Sequence, residues 1–529
     1  LDELVAALSS ATAYPSEAAG VEVRQTHISV LFFVDGLVYK VKKPVGFGFL
    51  DFTTLARRRH FCEEEVRLNE KLAPGVYRGV VRIVRTEQGR LRVDGDGEPV
   101  EFAVEMRRLP PGRMMDVLLE AGEIDNQQMD ELARLLVAFH GDAASGPGVE
   151  EHGSPEAVTR NVVENFDQTR GFVAPVGSGA QAGARTASPA LHGHLEAASR
   201  AFLAQEAPLL ARRVAEGRIR EGHGDLHAEN ICMTGGEILV YDRIEFAACL
   251  RCGDVACDLA FLAMDLDHRC FRGFSRYLVR RYAALSGDAD LATLVDFYKV
   301  YRALVRAKVL SLTAVDQALA PGHREQARRA AMSYWQLAAS YVVPAAVVLT
   351  CGLPATGKTT AARHVARPFE APVLRSDVRR KLLAGVPPSR ARPEAFGTGL
   401  YGAEMTDRTY DALLSEAREL LRAGRTVVVD ATFSSADRRR PFARLAGELG
   451  LPLVLVEATA PEQVVRARLA ERAAAGGDAS DADLSVYLRL RESFEAPREL
   501  PPSSVVAASP GVEAEVLSER VIEAIIDQV

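Results

Sequence analysis

At 529 residues the chain is too long for one ordinary domain, and at roughly 100–200 residues per domain it is expected to form about three to five compact units. A hydrophobic content of 48% and a charged content of 26% are those of a globular protein and exclude a disordered or fibrous chain. The net charge of −7, from 64 Lys+Arg against 71 Asp+Glu, gives no global attraction for nucleic acid and leaves only local basic clusters to consider.

The first residues, LDELVAALSS, carry no basic segment ahead of an apolar one, so no export signal is expected and a cytoplasmic location is predicted. Residues 21–45 alternate in short apolar runs around Asp35-Gly36, a hairpin signal. A helix is predicted over 55–72, with Leu55, Phe61, Val66, Leu68 and Leu72 toward one side. Further strands are predicted at 78–85, 89–94 and 99–107. The first hundred or so residues therefore read as a mostly antiparallel sheet with one helix. Helical periods follow at 128–141, 155–170 and 190–217, broken by the Gly/Ala/Ser-rich stretch at 174–190, which reads as a loop.

Residues 223–230 read HGDLHAEN, and the strand EILVYD behind them ends in Asp242. An acid, an amide five residues on and a second acid at a strand end suit one task. Asp225 would orient and deprotonate a hydroxyl, while Asn230 and Asp242 would hold Mg²⁺ against nucleotide phosphates. Cys249, Cys252 and Cys257 form a C-x2-C-x4-C run, but a zinc site needs a fourth ligand, and small buried residues are the expected reading. Seven cysteines without a paired framework fit a reducing compartment.

The order of Asp225, Asn230 and Asp242 resembles the catalytic loop and metal-binding Asp of the protein-kinase-like fold. HGDLH in place of HRDL is similar to the aminoglycoside phosphotransferase and choline kinase branch. The resemblance implies a bilobal N-terminal domain acting on small molecules. It also implies a strand lysine paired with a helix glutamate around the α and β phosphates of ATP. VYKVKKP offers Lys40, Lys42 and Lys43, and EEEV offers Glu63, Glu64 and Glu65; the pattern selects Lys40 and Glu65. The segment EFAVEMRRLPPG would be the hinge between lobes, with the backbone around Met106 meeting the adenine. Asp258 would prop the catalytic loop. With no G-x-G-x-x-G present, the hairpin bearing His27 and Ser29 would cover the phosphates.

Helices are predicted through 254–343, and near 340 the pattern changes. The apolar run at 341–355 contains two prolines and reads as a buried strand, not a membrane span. It opens into GLPATGKTT, the G-x-x-x-x-G-K-[ST] loop between a strand and a helix. Gly352 and Gly357 would let backbone N–H groups wrap phosphate oxygens, with Thr360 in the first helical turn. Lys358 would neutralise the β and γ phosphates and Thr359 would offer its hydroxyl to Mg²⁺. Asp430, ending the strand TVVVD, is the expected second metal-orienting acid. In LRSDVRRK, Asp377 could accept a hydroxyl proton and Arg379 and Arg380 could hold substrate. Segment 464–495 reads as an Arg-rich helix, a loop and a second helix, the pattern of a lid, with Arg466, Arg468 and Arg472 as candidates at the transferring phosphate. Strand–helix alternation with fully apolar strands predicts an α/β domain with a parallel sheet.

GLPATGKTT, RSDVRRK, VVVDATF and the SDADLSVYLRLRESFE segment together resemble the P-loop kinases that include polynucleotide kinases, zeta toxins and gluconate-type kinases. The resemblance assigns Asp377 as base. The whole chain resembles a bacterial family in which a phosphotransferase-like domain, about 1–340 with lobes meeting near 105, is fused to a P-loop domain, 341–529. The expectation is a two-headed phosphotransferase using ATP or GTP with Mg²⁺ on small-molecule hydroxyls. Two alternatives stay open: a catalytic P-loop domain beside a kinase-like ligand sensor, and a P-loop domain acting on nucleotide sugars or on a polynucleotide 5′-hydroxyl, for which the basic clusters RRK at 379–381 and RRR at 438–440 speak.

Overall fold

The computed structural model describes residues 1–15, 19–48, 50–175, 184–388, 399–475 and 482–529. Parts of the stretch at 174–190 and of the loop within 464–495 lie outside the described residues. The chain packs into two compact units, residues 1–161 with 203–302, and residues 162–202 with 303–529.

The first unit is built on a six-stranded antiparallel sheet. From one edge it runs Val21–Gln25, Ser29–Val34, Leu37–Lys42, Glu98–Arg107, Tyr77–Arg85 and Leu91–Val93. Asp35 takes φ 50° in the tight turn between the second and third strands, a conformation that Asp tolerates better than most residues. The sheet buries two faces. Val30, Phe32, Tyr39 and Val41 pack beneath the N-terminal helix Asp2–Leu8, while Val38, Val104 and Met106 pack with Cys62 of the helix Leu55–Asn69. That helix departs from its apolar reading. Its buried residues are Arg58, Cys62, Glu65, Leu68 and Asn69, so polar groups face inward. The rest of the unit is mainly helical. It also carries the two-stranded ladder Ile231–Thr234 with Glu237–Val240, the frame of the HGDLHAEN loop.

The second unit holds a five-stranded, all-parallel sheet in the order Val373–Arg375, Val427–Asp430, Val347–Cys351, Leu453–Ala458 and Val505–Ala508. Alternation along the central strand splits the core. Val347, Leu349 and Cys351 meet Phe433, Phe442 and Leu445, while Val348 meets Ala362 and Val365 of the helix Lys358–Ala366 and Val521 and Ile525 of the last helix, Ala514–Ile526. Each fully buried Val, Leu, Ile or Phe among them stabilises the unit by roughly 1.5–3 kcal/mol. The helix Pro321–Ser340 also packs here. Arg328 reaches Glu513 at 2.6 Å and Gln336 donates to the Glu515 carbonyl at 2.7 Å. No helix among the described residues is long and apolar enough to cross a membrane.

Candidate active sites

In the first unit, strand pleating puts Lys40 and Lys42 on one face, and both reach Glu65 of the facing helix. Lys40 Nζ lies 2.7 Å from Glu65 Oε1 and 2.6 Å from Asp242 Oδ1. Lys42 Nζ lies 2.6 Å from Glu65 Oε2 and also pairs with Glu245. Burial alone would raise the Glu65 carboxyl, but the two ammonium groups hold it down at about 2. At Glu245 burial prevails and the shift is upward. Burial works against the charge of Lys40, and the carboxylates of Asp242 and Glu65 more than reverse it. Glu245 was not anticipated; its signal in the sequence is an acid three residues after Asp242.

The HGDLHAEN loop is held by its own acid. Asp258 accepts from the backbone N–H of His223 at 2.7 Å and of Gly224 at 2.9 Å, and lies 3.1 Å from His140 Nε2. Burial opposes its ionisation, but these hydrogen bonds and the nearby imidazoles hold its carboxyl far below the usual range. His223 is buried, which lowers its pKa, and its Nε2 stands 3.0 Å from the Tyr241 carbonyl. Gly224 takes φ 87°, and a Cβ there would stand 2.9 Å from the Leu250 carbonyl oxygen. The glycine after His223 is thus a requirement of the loop's own geometry. Asn230 donates to the Asp225 carbonyl at 3.1 Å, and Asp225 Oδ2 lies 3.4 Å from His227 Nε2. Asp242 adopts φ 61° and its N–H donates to the Tyr77 hydroxyl at 3.0 Å.

Met106 sits inside its strand, opposite Val38 on one side and Tyr77 on the other, with its side chain in the core. The Arg107 N–H donates to Val76 O and the Arg108 N–H to Gly36 O, both at 2.8 Å, so the backbone here is committed to the sheet. Ser29 is buried beside Lys42 in register, while His27 lies in the exposed turn before it.

In the second unit the phosphate loop follows the central strand. Gly352 has φ 140°, and a Cβ there would lie 2.3 Å from the Ala458 carbonyl oxygen, so only glycine fits. Gly357 caps the helix Lys358–Ala366 with left-handed backbone, leaving the helix N-terminus open to the loop. Lys358 Nζ donates to the Leu353 carbonyl at 2.8 Å. Burial lowers the Lys358 pKa, opposed by Asp430 and then Asp377. Thr359 Oγ1 donates to Asp430 Oδ2 at 2.6 Å, and Thr350 Oγ1 to Asp430 Oδ1 at 3.0 Å. A hydroxyl and a carboxylate side by side at the helix start are hard oxygen donors that fit Mg²⁺.

One cleft of about 720 Å³ gathers the phosphate loop, Thr360, Asp377, Asp430, Arg468 and Arg472. Arg468 donates to the Ala355 carbonyl of the loop at 3.1 Å. Arg466 points elsewhere. At 3.6 residues per turn it stands about 200° round the helix from Arg468, while Arg472 stands only about 40° away. It is bound to Glu462 at 2.7 Å and does not line the cleft. Likewise Arg380 lines the cleft, while Arg379 pairs with Glu416.

The second unit, with its parallel sheet and phosphate loop, is a P-loop domain, and the first sets the Lys40–Glu65 pair against Asp242. The profile of the AAA domain family matches residues 347–497. An uncharacterized protein of Mycobacterium tuberculosis is 31% identical over 475 residues, spanning 89% of this chain and 90% of the relative, and the chain belongs to the same family as that protein. Among solved structures, the chain is similar to a sugar kinase from a Janibacter species (19% identity, 34% of this chain and 92% of that one, TM-score 0.26). It is also similar to a choline/ethanolamine kinase family protein from Mesorhizobium loti (13% identity, 62% of this chain and 95% of that one, TM-score 0.37).

Proposed function

We propose that the chain has two nucleotide sites and transfers the γ-phosphoryl group of ATP to hydroxyls of small molecules. The observation that carries this reading is the cleft of the second unit, where Lys358, Thr359, Asp430, Asp377, Arg468 and Arg472 converge. The acceptor hydroxyl oxygen attacks the γ-phosphorus, the bond to the β,γ-bridging oxygen breaks with its electron pair leaving on ADP, and the hydroxyl proton passes to Asp377. Lys358 and the loop N–H groups neutralise the phosphates, and Arg468 and Arg472 meet the charge of the transferring group. Thr359 and Asp430 would hold Mg²⁺, which when bound neutralises phosphate charge.

In the first unit the same roles fall to other residues. Lys40, aligned by Glu65, contacts the α and β phosphates, Asp225 takes the hydroxyl proton, and Asn230 with Asp242 would hold the metal. The adenine-facing backbone of this unit is then expected beyond Arg107, where the strand ends. Neither basic cluster offers nucleic acid a continuous exposed face, which supports a small acceptor. Arg380, Lys381 and Arg439 are buried, and Arg379 and Arg440 pair with Glu416 and Asp437.

Calorimetric titration with a non-hydrolysable ATP analogue and Mg²⁺ tests the two-site reading. Two nucleotides per chain are expected, one lost in Lys358→Ala and the other in Lys40→Met. A single nucleotide, abolished by Lys358→Ala, would favour the reading in which the kinase-like unit senses a different ligand.

A further inference from the structure

In the cleft of the second unit the sheet order separates a charged side from an apolar one. The phosphate loop follows the central strand Val347–Cys351, and Asp377 follows the strand Val373–Arg375 at one edge of the sheet. Toward the other edge lie the strands Leu453–Ala458 and Val505–Ala508, and this side gives the cleft Ala458, Ala508, Pro510, Val512 and Leu517. Residues 508–512 read ASPGV and carry no charged side chain. Such a wall suits the flat face of a nucleotide base.

This wall has the weakest support from its own sheet. Val505–Ala508 is the edge strand, with Leu453–Ala458 as its neighbour, and the turn after it runs straight into the last helix, Ala514–Ile526. Glu513 is the N-cap of that helix, yet its side chain makes no hydrogen bond to the helix's own N–H groups. It turns outward and meets Arg328 of the helix Pro321–Ser340 at 2.6 Å. The residues on either side of it, Val512 and Ala514, both line the cleft. Gln336, two turns along from Arg328, donates to the Glu515 carbonyl at 2.7 Å. Arg328 and Gln336 are both buried. The rest of the Arg328 charge is met by Glu325 of its own helix, at 2.8 Å.

Resting on the phosphotransferase reading, we infer that Arg328 and Gln336 are positioning residues for nucleotide binding. Acting from the helix that precedes the parallel sheet in the chain, they fix the turn 509–513 and the first turn of the last helix. The apolar wall is thereby held in shape before the base arrives, and the cost of ordering it is removed from binding. The phosphate loop is anchored on the central strand and does not need them. Their effect therefore falls on the base and ribose of the nucleotide and leaves its phosphates alone.

The test uses the full chain carrying Lys40→Met, so that only the second site is read. Calorimetry with Mg²⁺ compares a non-hydrolysable ATP analogue with tripolyphosphate, which has the phosphates without the base. The analogue is expected to bind more tightly. Arg328→Met should weaken it about fivefold or more and leave tripolyphosphate within about twofold. Glu513→Ala should do the same, and the double variant should lose no more than either single one, because both remove one contact. Gln336→Met should act in the same direction, and Arg328→Lys, which keeps the charge, should recover part of the affinity. If Arg328→Met fails to fold, Glu513→Ala, at a partly exposed acid, decides. Unchanged binding of the analogue, equal loss of both ligands, or losses that add in the double variant would each overturn the inference. So would an analogue that binds no tighter than tripolyphosphate, although the phosphotransferase reading would survive it. Binding of neither ligand before any change at Arg328 would sink that reading itself.

Discussion

At the scale of single residues, the two loops depend on backbone positions where a side chain has no room. Gly224→Ala forces a Cβ against the Leu250 carbonyl at a left-handed φ. It is expected to cost about 1–3 kcal/mol, seen as a lower urea midpoint for the unfolding of the first unit. Lys358 makes a pH prediction. Burial lowers its pKa in the free protein, and a bound triphosphate raises it again by attraction. Nucleotide affinity at this site is therefore full while Lys358 is protonated, and falls as pH rises through its lowered pKa. The decline should begin below the ordinary lysine range and vanish in Lys358→Arg, as followed by calorimetry from neutral to alkaline pH. His223 gives the opposite window. Its pKa lies below the ordinary histidine value when folded, so the unfolded chain binds the proton first. Its contribution to stability is fully present above the unfolded value of about 6.5 and is lost as pH falls from there through its lowered folded value. A flat stability profile across that window would exclude a buried neutral His223.

At the scale of elements, what could be read in the sequence follows from how each element is buried. The three inner strands of the parallel sheet, Val427–Asp430, Val347–Cys351 and Leu453–Ala458, are buried on both faces, and the phosphate loop is a fixed spacing of special residues, so both were legible. The helix Leu55–Asn69 was legible as a helix and illegible as a surface. Its inward face carries Arg58, Glu65 and Asn69, because it meets charged partners there, and an apolar stripe cannot announce such a face. The same lack of pattern hid Glu245, which matters only through Lys42. The strand Val505–Ala508 is short and its neighbours in sequence are loops, so its place at the sheet edge came only with the fold. Arg466 was picked from composition; helix phase removes it from the cleft and keeps Arg468. The buried quartet of Lys40, Lys42, Glu65 and Glu245 predicts unequal mutant costs. Lys42→Met leaves two buried carboxylates with one cation fewer and should destabilise the first unit by about 3–5 kcal/mol. Lys42→Met with Glu245→Leu should recover part of that loss, measured as thermal midpoints of the single and double variants.

For the whole molecule, the chain carries two polar constellations on unrelated sheets, one antiparallel and one parallel. On the proposed reading each supplies a lysine for phosphates, an acid for a hydroxyl proton and oxygen donors for a metal, and neither needs the other's residues to complete its chemistry. The measurement that tests this most directly is ATP turnover with a pool of small hydroxyl metabolites, by wild type, by Asp225→Ala and by Lys358→Ala. Each substitution is expected to remove a separate part of the turnover, with the products of the other head persisting. Complete loss in Lys358→Ala alone, with Asp225→Ala indistinguishable from wild type, would contradict a two-headed enzyme and leave the HGDLHAEN unit as a sensor.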